Sequence, residues 1–195
     1  MKLQVWLGAG VVASLATLAC STAVPTETPG VTRVGATALR YAGPEIEAVV
    51  SYRFAEGSVG DEWMLLDVAF TGAGHDTVEV KRDNVSLRAP SGEEIALAAQ
   101  EEFAAAYGTL APVLARADVA AEPLDYWSSR VERPIEFFTV PGAGLVFPSF
   151  WVDDRRVYLG RLFFQVPGGI QTGRWELRIK LPETQLAVPF RLGSP

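Results

Sequence analysis

One cysteine and one histidine are all the soft-ligand and imidazole chemistry that this chain of 195 residues holds. A single thiol, Cys20, cannot form a disulfide within the chain, and one thiol with one imidazole cannot build the usual zinc or copper sets. His75 is followed by Asp76 in a glycine-rich stretch, which on paper supplies two members of a serine triad. A serine nucleophile needs base and orienter in mutual contact, and no serine here lies in a nucleophile-elbow sequence, so His75 reads as a solvated turn residue. Paired carboxylates occur at Asp61-Glu62, Glu93-Glu94, Glu101-Glu102 and Asp153-Asp154. Glycoside-type hydrolysis would need two carboxyl groups facing each other across a cleft with their pKa values driven apart. Each pair falls instead in or beside an expected turn or exposed helix face, and no calcium-loop spacing is present. No enzyme activity, cofactor or metal is expected; a hydrolase is the least favoured alternative.

The remaining candidates are aromatic. Phe147-Pro148-Ser149-Phe150-Trp151 follows Pro141-Gly142-Ala143-Gly144 and precedes Asp153-Asp154-Arg155-Arg156, and Tyr126-Trp127 forms a second pair. Phe147, Phe150, Trp151, Tyr126 and Trp127 are the expected binding surface, since aromatic and arginine side chains dominate interface hot spots and aromatic faces stack on sugars. The competing expectation is that they cap the core, because contiguous exposed apolar patches are rare on soluble monomers.

Cys20 has a more specific context. Met1-Lys2 precedes an uncharged apolar run over residues 3–19 that ends Ala16-Thr17-Leu18-Ala19, directly before Cys20. A basic start, an apolar stretch and small residues before the cut are the parts of a secretory signal. With cysteine at the first mature position the segment resembles a bacterial lipoprotein signal, which implies cleavage after residue 19, lipid on the Cys20 thiol and attachment to the cell envelope. Ser21 rather than aspartate follows, which in lipoproteins of double-membraned bacteria favours the outer membrane. An uncleaved anchor is the alternative, but spanning prefers about 20 apolar residues with better flanks; an ordinary secretory signal with an incidental cysteine is the other.

Residues 20–30 are threonine- and proline-rich and read as a lipidated N-terminus with an extended tether. Residues 31–195 suit one domain. Without Lys2 the chain carries 16 basic against 23 acidic side chains, a net charge of −7. That field disfavours nucleic acid and anionic lipid surfaces unless a local basic patch overcomes it, and no long basic run is present. The expected partners are the membrane, through lipid on Cys20, and another envelope protein.

Period-two alternation dominates the elements that must hold these groups. Residues 46–54 place Ile46, Ala48, Val50, Tyr52 and Phe54 on one face, and residues 63–70 are apolar on both, as a central strand would be. Residues 85–87 and 95–97 flank the turn Pro90-Ser91-Gly92 as a hairpin. Residues 98–130 are alanine-rich and predict a short helical insertion in three pieces: 98–107, ended by Gly108; 112–117, with Pro112 tolerated in its first turn; and 123–130. Strands resume at 134–140, 147–152 and 156–166. Trp175, Leu177, Ile179 and Leu181 then alternate with Arg174, Glu176, Arg178 and Lys180, and a last strand over 186–192 carries Pro189, which predicts an edge.

The succession WMLLDVAF, TVEVKRDNVSLRAPSGEEIAL, RLFFQVP and RWELRIKL resembles the immunoglobulin-like domains of uncharacterised bacterial lipoproteins. The match lies in a Leu-x-x-Pro-x-Gly hairpin at 87–92 and in Val166-Pro167 at the close of a later strand. The resemblance implies a mainly β chain, an immunoglobulin-like antiparallel β-sandwich, and no catalytic residues. The expected function is that of a lipid-anchored, non-catalytic protein-interaction module of the envelope; a carbohydrate- or small-ligand-binding lipoprotein is the alternative.

Overall fold

A strand apolar on both faces must be covered on both, and residues 63–72 decide the architecture for that reason. The computed structural model of the chain describes residues 28–193; the signal segment, Cys20 and most of the tether lie outside them. The strands are β1 (Val31–Arg33), β2 (Ala38–Ala42), β3 (Ile46–Ser51), β4 (Trp63–Gly72), β5 (Val78–Lys81), β6 (Val85–Arg88), β7 (Glu94–Ala96), β8 (Val131–Pro134), β9 (Ser149–Val152), β10 (Arg156–Gln165), β11 (Gly173–Lys180) and β12 (Gln185–Leu192). Two helices accompany them, α1 (Arg53–Glu56) and α2 (Gln100–Ala120). A six-stranded sheet runs β1-β2-β3-β4-β10-β8, a four-stranded sheet runs β12-β11-β6-β7, and β5 pairs with β9 in a separate ladder.

The protein is mainly β and sandwich-like. Ala48, Val50, Leu66, Val68, Phe70, Leu162 and Phe164 of the large sheet share one core with Leu87, Trp175, Leu177, Ile179, Val188 and Phe190 of the small one. The β11–β12 register sets Trp175 opposite Phe190, Leu177 opposite Val188 and Ile179 opposite Leu186, leaving the charged positions outside. The Trp175 indole N–H donates to the Gln171 carbonyl at 2.8 Å, so its burial strands no donor.

A third layer covers the other face of the large sheet. Leu65 and Phe163, opposite each other in register, receive Phe103, Leu110 and Ala117 of α2, and Val49 and Ala69 receive Leu124 and Trp127. Residues 103, 107, 110, 114 and 117 fall at alternating spacings of three and four, a continuous helical stripe. That stripe carries α2 unbroken through Gly108 and Pro112, where two separate pieces, 98–107 and 112–117, were expected. A proline ring crowds the carbonyl four residues before it, which here belongs to Gly108, the residue freest to adjust. Residues 123–130 are not helical. No helix of the described residues is long and apolar enough to cross a membrane.

Other expectations shift as well. β3 stops at Ser51, and α1 carries Phe54 to the third layer while Tyr52 stays in the main core. Residues 135–140 form a loop rather than a strand, and the preceding β8 pairs parallel with β10, the one parallel contact in an otherwise antiparallel pairing scheme among the described residues. The 85–97 hairpin stands as read, with Leu87 opposite Ile95. β12 is an edge strand, as Pro189 requires.

Trp175→Ala is expected to lower unfolding stability by about 3–5 kcal/mol through the cavity it leaves. Its exposed neighbour Arg174→Ala should stay within about 0.5 kcal/mol; denaturant titration of both variants checks the contrast.

Candidate functional site

Large apolar side chains remain exposed along one side of the sandwich, and a rigid base holds them there. Residues 135–148 leave the β8 edge, turn at Gly142 and Gly144, both at positive φ, and return to β9. Arg82 pins this excursion: its guanidinium donates to the carbonyls of Phe137 and Ala98 and lies 4.6 Å above the Phe138 ring, while its backbone N–H donates to the Pro148 carbonyl at 2.8 Å. Burial pushes the Arg82 guanidinium below its ordinary pKa, opposed by Asp83, Glu101 and Glu102, and an arginine so placed stays charged. The Gln100 amide meets Thr139 twice, donating to its carbonyl at 2.8 Å and accepting from its N–H at 3.1 Å. The Phe147 N–H donates to the Glu136 carbonyl at 2.9 Å.

Beyond that base stand Val140, Leu145, Val146 and Phe147, with Trp151 beside them on β9 and Val131 at the start of β8; Leu145 is 78% exposed. Phe147, at 48%, and Trp151, at 50%, flank a groove of about 290 Å³. Its floor is Phe137, Phe150 and Tyr158, and its polar rim includes Glu136, Ser149 and Arg156. Ser149 donates to Glu79 at 2.7 Å and, with Lys81 nearby, holds that carboxyl below the usual range against the opposing effect of desolvation.

The expected binding residues therefore separate. Phe147 and Trp151 are available at the surface. Phe150 is 8% exposed, stacked 4.8 Å from Tyr158 and tilted against Phe137 at 5.3 Å, because strand alternation turns it inward between exposed Trp151 and half-buried Ser149. Trp127 is also 8% exposed; it packs on Val49 and Ala69 with the guanidiniums of Arg40 and Arg130 at 5.6 and 5.8 Å from its ring. Tyr126 is partly exposed and meets only the edge of Trp127, at 6.5 Å, and neither residue lines the groove.

The β8 edge beside the groove is blunted against strand addition. Val131 and Ile135 donate their N–H groups to Arg155 and Leu159, so Glu132 and Pro134 face outward, one charged and the other without a donor. Any contact here is made by side chains.

Five of the titratable candidates, His75, Glu94, Glu102, Asp153 and Asp154, are tied to structure. His75 Nδ1 sits 2.5 Å from Asp154 across the loop rather than on Asp76, and its other nitrogen meets no hydroxyl among the described residues. Glu102 accepts the Ala99 N–H at 2.7 Å at the start of α2, Glu94 accepts from Ser86 at 2.7 Å, and Asp153 accepts the Arg155 N–H at 2.9 Å. Glu62 and Glu102 do line a cavity of about 480 Å³, but Glu102 is committed to its cap. Asp67 and Asp118 share the Arg161 guanidinium at 2.7 and 2.9 Å.

A basic cluster went unseen in the sequence because its members come from separate strands: Arg33 on β1, Arg88 on β6, Arg174 on β11 and Arg191 on β12. Alternate charge along residues 174–180 was the one local signal.

Arg82→Ala leaves two inward carbonyls without their donor and should cost about 2–3 kcal/mol. Hydrogen exchange should rise over residues 135–148, with only partial rescue by Arg82→Lys, whose single ammonium cannot span both carbonyls. Unchanged exchange in that segment would contradict the pinning.

No family model and no curated protein matches the chain. Among solved structures, the crystal structure of a candidate lipoprotein, YcdA from Bacillus subtilis, is similar over 78% of this chain and 38% of its own, at 14% identity and a TM-score of 0.37. The chain thus spans well under half the length of that protein.

Proposed function

We propose that this is a lipid-anchored protein of the cell envelope, acylated at Cys20 and directed to the outer membrane, whose immunoglobulin-like sandwich is a non-catalytic module that binds another envelope protein. The observation that carries this reading is the exposed apolar rim of Val140, Leu145, Val146, Phe147 and Trp151 on a base fixed by Arg82 and Gln100. Flexible hydrophobic loops lose affinity to ordering, whereas a rim held in place before contact keeps it. Aromatic and aliphatic anchors beside a charged margin are the composition of an interface centre. Glu94, Glu102, Asp153, Asp154 and the lone histidine are engaged in caps, cross-strand contacts and surface ion pairs, which favours the binding reading.

A photo-crosslinking side chain placed at Leu145 in the native membrane should yield one discrete heavier adduct, while the same probe at exposed Arg116 on α2 yields none. Phe147→Ser should remove the adduct with stability changed by no more than about 0.5 kcal/mol. Adducts equal at both positions, or none at Leu145, would contradict the reading.

The groove between Phe147 and Trp151 favours one second reading, binding of a carbohydrate or small ligand by stacking. Oligosaccharide should then shift the emission of Trp151, and Trp151→Phe should remove the shift; no response across neutral and acidic sugars rejects it.

A further inference from the structure

The outer face of the small sheet concentrates positive charge on an acidic chain. Arg88, Arg174, Arg178, Lys180 and Arg191 alternate with buried residues and so share that face, against two carboxylates, Glu94 and Glu176. Both carboxylates are engaged, Glu176 by the Arg178 guanidinium at 2.5 Å and Glu94 by the Ser86 hydroxyl at 2.7 Å. The Ser86 hydroxyl, and after it Lys180, Arg178 and Arg88, hold the Glu94 carboxyl below the usual range against desolvation. Arg33, Arg88, Arg174 and Arg191 have no carboxylate within ion-pair distance among the described residues.

Arg88 stands opposite Glu176 and Glu94 in its two ladders, but the placement of Arg174 and Arg191 is costly without a ligand. Arg174 stands directly opposite Arg191 in the β11–β12 ladder, and like charges so paired are destabilising. Arg33 joins the two in lining one hollow of about 190 Å³, and Arg88 and Arg174 line another of about 360 Å³ beside the Pro90-Ser91-Gly92 turn. Arginine presents a planar fork of donors suited to phosphate oxygens.

The described chain begins beside this face. Arg33 lies on β1, the first strand after the tether, and β12 packs beside β2 next to it. From Cys20 to Thr28 the chain spans at most about 27 Å. β8, which borders the apolar rim, is at the opposite edge of the large sheet, five strand spacings or about 24 Å away.

We propose that Arg33, Arg88, Arg174 and Arg191 dock on the phosphoryl headgroups of the anionic bilayer to which the chain is anchored, fixing the domain's orientation with the apolar rim turned outward. This deepens the lipid-anchored reading and rests on it. It also revises the expectation from net charge: −7 is an average over a surface whose acidic and basic parts are segregated.

Arginine modification by phenylglyoxal, mapped by peptide mass spectrometry, tests it on the full chain purified from membranes and reconstituted into vesicles. In phosphatidylglycerol-containing vesicles the four arginines should react about fivefold more slowly than in phosphatidylcholine vesicles, the factor expected from about 1 kcal/mol per surface arginine. Exposed Arg116 and Arg133 should react alike in both. The protection should vanish at about 1 M salt, and Arg174→Gln/Arg191→Gln should release Arg33 and Arg88. Equal rates in the two lipids overturn the proposal. Protection by millimolar inorganic phosphate in phosphatidylcholine vesicles, matching that of phosphatidylglycerol, overturns the headgroup as ligand in favour of a soluble phosphate. Flotation separates the anchored reading: an acylated chain stays with both kinds of vesicle at about 1 M salt, whereas release from both refutes anchoring while the low-salt protection still reports on the arginine face.

Discussion

Burial of the large sheet on both faces is the constraint on which the rest of the structure depends. With Cys20 the only cysteine, no disulfide can staple this domain, so stability must come from packing. β4 and β10 supply it by carrying apolar side chains inward and outward at once, with Leu66 and Leu162 on the sandwich side and Leu65 and Phe163 on the helical side. A helix containing both Gly108 and Pro112 would be marginal alone; the stripe from Phe103 to Ala117 holds it against the sheet. Few polar ties then fix the third layer in register. Arg161 reaches from β10 to Asp118 on α2, and Thr37 and Ser51 both donate to Glu122 just beyond it.

The same layering divides the surface. The helical layer occupies one side of the large sheet, the charged strands of the small sheet form the other outer face, and the loop of residues 135–148 is left at the β8 edge. Arg82 links these regions, since one guanidinium ties the start of α2 at Ala98 to the loop at Phe137. The loop is therefore held by the core as well as by its own hydrogen bonds, and its apolar tip is presented at little further ordering cost. Acidic composition conceals the opposite face, where cations from β1, β6, β11 and β12 meet.

What was legible in the sequence was local. Trp175, Leu177 and Ile179 alternate with charged residues and lie as that alternation demands; the hairpin around Pro90-Ser91-Gly92 closes in the expected register; Pro189 marks an edge. Trp63 and Leu65, apolar on the second face of β4, marked a central strand, though not the helical layer that covers them. What could not be read was non-local. Gly108 signals a helix end and Pro112 a fresh start on propensity alone, and the sheet beneath overrides both. Phe54 leaves its strand face because the chain turns into α1 one residue earlier than the alternation implies. Phe150 and Trp127 look like Phe147 and Trp151 in sequence, yet strand parity and the third layer bury the first two and leave the others out. Arg174 and Arg191 become neighbours only through the ladder between β11 and β12.

Both proposed surfaces take their meaning from where the chain is fastened, and the intact mass of the protein extracted from its native membrane examines that most directly. The expected mass is that of a chain beginning at Cys20 and carrying acyl groups on that residue. A mature chain with an unmodified Cys20, or one that retains residues 1–19, would contradict anchoring by lipid.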